Sequence, residues 1–63
     1  MKFGDMYTRA AQTTDFQLVS AEDREVILES SKNERPQTVE EFFDWTVVFY
    51  IIDNNKIIVE VTK

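Results

Sequence analysis

The pattern of apolar and polar positions changes period along the chain and is clearest in its last third. Thr46 to Ile52 is β-branched or aromatic throughout, Ile57 to Thr62 is nearly so, and Asn54-Asn55 between them suits the two left-handed positions of a type I′ turn. A two-residue loop there sets Ile52 opposite Ile57, Tyr50 opposite Val59 and Val48 opposite Val61, a wholly apolar face that reads as core. The reverse face pairs Ile51 with Ile58, Phe49 with Glu60 and Val47 with Thr62. It is too apolar for water, so it calls for a cover: the helix, another strand pair or a partner.

Just upstream, Thr38-Val39-Glu40-Glu41 fits a capping box, and Pro36 blocks any helix running in from before it. The helix predicted from there carries Val39, Phe42, Phe43 and Thr46 on one face, with Glu40, Glu41 and Asp44 pointing elsewhere. At about two turns it is too short to be stable alone and must dock on an apolar surface.

Nearer the start, Phe16 to Ser20 and Glu25 to Glu29 are strand-like, joined by the polar Ala21-Glu22-Asp23-Arg24, with Val19 opposite Val26 and Leu18 opposite Ile27. The rival is a helix from Ala21 to Lys32, ranked lower because Val26, Ile27 and Leu28 are contiguous rather than helically spaced. Before Thr14 the pattern is least informative. Gly4-Asp5 is a turn signal and Met6 to Ala10 reads as a short strand, with a helix capped by Asp5 and running through Ala10-Ala11-Gln12 as the alternative. Ser30 to Gln37 is polar and contains Asn33 and Pro36, the mark of a loop. The order predicts one small α+β domain over 1–63. Its form is an antiparallel sheet of two hairpins with one short helix between them (β-β-α-β-β), laid as a layer or curled into an SH3-like barrel.

Composition narrows the chemistry. The 63 residues contain no cysteine and no histidine, which removes disulfides, thiol redox chemistry, the usual zinc sites and imidazole acid/base catalysis. No secretory leader pattern is present, and the longest apolar run, Val47 to Ile52, is far short of a membrane span, so a cytoplasmic protein without a membrane partner is expected. The net charge of −5 sits wholly between Glu22 and Asp44, where eight acids face three bases; elsewhere four of each cancel.

Glu40, Glu41 and Asp44 are a carboxylate cluster, but acids in a first helical turn are accounted for by capping and solvation, and nothing nearby supplies a second catalytic group. Asp53-Asn54-Asn55 opens like a calcium loop yet lacks that motif's glycine and distal glutamate. No enzyme activity, metal or cofactor is expected. The aromatic residues would need a basic groove to act as a nucleic-acid platform, and the chain has no basic cluster, so direct nucleic-acid binding is not expected either. Trp45 lies off the Val39/Phe42/Phe43 face at the helix-to-strand junction, placed either to close the core or to anchor an interface.

Two functions from different classes follow. One is a non-enzymatic protein-binding module or inhibitor that docks on a larger protein. Its contacts would be Glu40, Glu41, Asp44 and Trp45 against a basic nucleic-acid-binding surface, or the leftover apolar face of Val47, Phe49, Ile51 and Ile58. The acidic stretch has a plainer account as a solvated face that keeps a small domain apart from its neighbours. The other function is structural: self-assembly as a homodimer through the C-terminal hairpin.

Overall fold

Asn54 and Asn55 both adopt left-handed backbone conformations (φ 50° and 66°), and the two strands they join pair antiparallel from Asp53↔Lys56 through Ile52↔Ile57, Ile51↔Ile58 and Tyr50↔Val59 to Phe49↔Glu60. These strands are β3 (Thr46–Asp53) and β4 (Lys56–Thr62). The register is the expected one until a bulge at Val48 takes up one residue, so that Val47 rather than Val48 lies opposite Val61 and Thr46 lies opposite Thr62. The first hairpin, β1 (Asp15–Ser20) and β2 (Val26–Ser30), pairs Val19 with Val26 as expected. A register shift there sets Leu18 opposite Leu28 instead of Ile27. The computed structural model describes all 63 residues, Met1–Lys63.

The two hairpins join through their inner strands, and they do so in parallel: Phe16 lies opposite Ile57, Leu18 opposite Val59 and Ser20 opposite Val61. The sheet, in the order β2-β1-β4-β3, is therefore mixed rather than antiparallel, and with β2 and β3 at free edges it is not closed into a barrel. Parallel joining puts the two best-alternating strands in the centre. Phe16 and Leu18 of β1 then share one face with Ile57, Val59 and Val61 of β4, all buried.

Residues Phe3–Ala10 cover that face as a helix, α1, and not as the expected strand over Met6–Ala10. Phe3 and Tyr7, one helical turn apart, and Ala11 just beyond are buried against Phe16, Leu18 and β4. Because the sheet offers a face to cover, the four-residue spacing of Phe3, Tyr7 and Ala11, close to the helical period, outweighs the strand-like run around Tyr7. Lys2 occupies the N-cap without a side-chain bond, so neither Asp5 nor any other side chain caps the helix. Main-chain carbonyls satisfy its first amides instead: Phe3 N–H donates to Trp45 O at 2.8 Å and Gly4 N–H to Phe43 O at 2.9 Å.

Between the hairpins, Gln37–Phe42 forms a 3-10 helix rather than an α-helix capped by Thr38; Pro36 is its N-cap residue, and no side-chain capping bond forms. Val39 is buried, Phe42 and Phe43 are half-buried against the core, and Thr46, expected on the same helical face, already opens β3. Tighter winding suits a segment this short, which must turn its aromatic residues inward and deliver the chain to β3 within four residues of Phe42.

Candidate functional site

The structure overturns one assignment that matters for function. Val48, Tyr50 and Ile52, read as core from the pattern, are exposed, although Val59 and Ile57 opposite Tyr50 and Ile52 are buried. α1 sits over the central strands β1 and β4, and β3 lies at the edge beyond its reach. The consequence is a run of five consecutive large apolar residues, Val48 to Ile52, each between 45% and 69% exposed. Monomeric proteins rarely leave so continuous an apolar stretch in water.

Both flanks of this strand are apolar. On the helix side, Tyr50, Ile52 and Ile57 join Met1, Met6 and Ala10 around a groove of about 400 Å³ between α1 and β3, which the charged Asp5 and Arg9 also line. On the opposite side, Phe49, Ile51 and Ile58 line a smaller depression of about 120 Å³, with Val19, Arg24 and Glu60 at its margin. Of the residues singled out from the sequence, Phe49, Ile51 and Ile58 are thus brought together, while Val47, which the bulge turns to the covered face, packs against the core.

The backbone of β3 is also unfinished. A two-residue loop makes Asp53/Lys56 a hydrogen-bonded pair, and strict alternation makes Ile51/Ile58 and Phe49/Glu60 hydrogen-bonded as well. The amides and carbonyls of Tyr50 and Ile52 then point away from β4, toward the open edge. Only the first residues of the strand are closed off: Lys2 bridges Thr46, and Val47 N–H donates to Met1 O at 2.8 Å. From Val48 onward no strand lies beside β3.

The other edge of the same sheet is built differently. β2 has five residues, carries the exposed Glu29 and includes the register shift near Ile27. Glu29 also reaches across β1 to pair with Lys56 at 3.0 Å. Brevity, charge and a bulge are the ordinary protections of an edge strand, and between Val48 and Ile52 β3 carries no charge and has only the bulge at its start.

Glu40, Glu41 and Asp44 are exposed on the 3-10 helix and the turn after it, apart from the Phe49/Ile51/Ile58 depression. Lys2 Nζ reaches this turn and donates to the main-chain carbonyl of Asp44 at 2.9 Å. Trp45 is half-buried, packs edge-on against Phe42 at 4.8 Å between ring centroids, and has Lys63 Nζ 5.8 Å from its own ring centroid. The remaining acids of the middle third are spread along an antiparallel hairpin, with Glu22, Asp23 and Glu25 at its turn and Glu29 and Glu34 toward its far end. No three acidic side chains are grouped so as to hold a metal ion.

What the sequence pattern missed is the exposure of Val48, Tyr50 and Ile52. The signal was available in β3 itself, which is apolar on both faces. Such a strand is either central and doubly covered or lies at an edge with apolar side chains left in water. In the comparisons with known proteins, no family model, curated protein or solved structure matched the chain.

Proposed function

We propose that this chain is a non-enzymatic protein-binding module that docks by adding a strand of its partner to the open edge of β3. The observation that carries this reading is the exposure of Val48 to Ile52 on a strand whose outer amides and carbonyls have no neighbour. Strand addition draws affinity from main-chain hydrogen bonds and specificity from the side chains that flank them. Both flanks here are apolar, so the contact would bury hydrophobic area on each face of the extended sheet, at Tyr50 and Ile52 on one side and Phe49 and Ile51 on the other. Ile58 widens the second contact.

The competing mode places the working surface on Glu40, Glu41, Asp44 and Trp45, against a basic groove of the kind that binds nucleic acid. The two modes differ in salt dependence. An acid-driven contact weakens steeply at about 1 M salt, where the screening length is about 3 Å, whereas apolar strand addition persists. The test is capture from a cell extract on immobilised protein, read with amide hydrogen exchange of the complex. Retention at high salt, slowed exchange at Tyr50 and Ile52, and loss of capture on Ile51→Lys are the expected results. Capture abolished by reversing Glu40, Glu41 and Asp44 to lysine but unaffected by Ile51→Lys would transfer the function to the acidic surface. If wild-type protein retains neither another protein nor a second copy of itself, the chain is not a binding module.

A further inference from the structure

Resting on that reading, we infer that the strand β3 receives is an apolar segment of another protein, antiparallel to β3 and carrying a lysine or arginine opposite Asp53. Asp53 is the only charged side chain in β3, and it stands exposed at the open end of the edge. Its cross-strand partner Lys56 is committed elsewhere: Nζ lies 3.0 Å from Glu29 Oε1, across β1, in the only ion pair of the fold. Arg24 and Glu60 border the depression on this face, with Glu60 opposite Phe49 at the other end of the strand. The Asp53 carboxylate is thus an acid without a cation of its own, on a chain of net charge −5, at a place where docking would draw it partly out of water.

The alternation of β3 brings a cation there close. Phe49, Ile51 and Asp53 bond inward to β4, so on the outer side they take the non-hydrogen-bonded positions, where opposed Cα atoms stand about 4.5 Å apart and side chains come nearest. An opposite charge directly across such a pair is favourable and a like charge unfavourable. The residues that follow it, opposite Ile52 back to Val48, meet apolar side chains only.

Direction follows from what already lies on the edge. Met1 and Lys2 run antiparallel to β3, with Lys2 bridging Thr46 and Val47 N–H donating to Met1 O at 2.8 Å. An antiparallel newcomer continues their line: it starts opposite Asp53 and ends opposite Val48, short of Met1, so nothing has to be displaced. The inner neighbour of β3 has the same pattern. β4 also runs antiparallel and begins with Lys56 opposite Asp53, followed by Ile57, Ile58 and Val59. β3 itself has no basic residue, so β3 of a second copy cannot supply the cation.

The probe is a segment patterned on the start of β4, Xaa-Ile-Ile-Val-Thr-Val, displayed at the C-terminus of a soluble carrier protein so that it need not pass Met1. With lysine as Xaa it should bind the wild-type chain about fivefold or more tightly than with glutamate at low salt, and the difference should fade toward about 1 M salt. Asp53→Lys should reverse the order. Because the chain has no cysteine, a single introduced thiol reports the register: Asp53→Cys should cross-link under mild oxidation to a carrier with cysteine first in the segment and not to one with cysteine last. Equal affinity for the two segments, an order unchanged in Asp53→Lys, or preferential cross-linking to the last position overturns the inference and leaves strand addition itself in place. Segments that do not bind at all overturn it too, as does a wild-type chain that self-associates through β3 and excludes them. Strand addition by another protein is then decided separately, by whether a partner captured from extract protects Tyr50 and Ile52.

Discussion

The amide of Gly4 donates to the carbonyl of Phe43 across 2.9 Å, and a Cβ on Gly4 would stand 2.9 Å from the Cβ of Phe43 and 3.1 Å from that carbonyl oxygen. Only a glycine lets the first turn of α1 come this close to the end of the 3-10 helix, and that approach caps the helix with main-chain groups in place of a side chain. Gly4→Ala should therefore destabilise the fold by about 1–3 kcal/mol, although alanine is the better helix former by close to 1 kcal/mol. Chemical denaturation of the two proteins at equal concentration measures it. An alanine variant as stable as wild type would mean that the helix and the 3-10 segment can separate without cost.

A second long-range tie lies inside the core. Tyr7 Oη and Ser30 Oγ, 2.7 Å apart and both buried, join α1 to the last residue of β2. Neither hydroxyl has water to replace the other, so Tyr7→Phe or Ser30→Ala alone should cost about 1–3 kcal/mol by leaving one buried polar group unpaired. The double variant should cost less than the two singles together, since it leaves no orphan hydroxyl at this contact. A double-mutant cycle by urea denaturation reads the coupling, and simple additivity would show that the bond contributes nothing specific.

This tie also shows what was legible in the sequence and what was not. The second hairpin could be read because its information is local: Asn54 and Asn55 tolerate positive φ, and two apolar strands flank them at a spacing that leaves a single register up to Phe49. The first hairpin was legible for the same reason, except for the residue absorbed near Ile27. The parallel joining of β1 to β4 was not, because it depends on which pair of strands α1 can cover. Nor was α1, whose N-terminal amides are satisfied by Phe43 and Trp45, 39 and 42 residues away along the chain from Gly4 and Phe3. At the candidate site the pattern predicts an uncovered face of Val47, Phe49, Ile51 and Ile58, of which the last three lie together while Val47 packs against the core. For Val48, Tyr50 and Ile52 the pattern predicts core, because periodicity places a residue on a face without saying whether that face continues under the cover.

The difference between the two faces of β3 and the true core is measurable. Leu18 and Val59 are fully buried beneath α1, whereas Tyr50 and Ile52 stand at the sheet edge. Leu18→Ala should cost about 2–5 kcal/mol, enough to unfold a domain of this size under mild conditions. Ile52→Ala, at dilutions where any association through β3 is absent, should cost well under about 1 kcal/mol, because little apolar area is removed from burial. A large loss at Ile52 in dilute protein would return it to the core and remove the open edge on which strand addition depends.

Arg24 presents the opposite case to Gly4, a side chain where the backbone favours none. Its φ is 61°, in the left-handed region, and the turn is held by Arg24 N–H donating to Ser20 O at 2.8 Å and Ser20 N–H to Glu25 O at 2.9 Å. A non-glycine residue in this conformation costs about 1–2 kcal/mol, while glycine loses up to about 1 kcal/mol more backbone entropy on folding, so Arg24→Gly should leave stability unchanged or raise it by up to about 1 kcal/mol. Arg24→Val should lower it, since a β-branched side chain tolerates positive φ least. Thermal or urea unfolding of the pair at one protein concentration gives both signs at once. A glycine variant less stable than the valine variant would show that the arginine side chain, which borders the Phe49/Ile51 depression, holds the turn by its contacts rather than straining it.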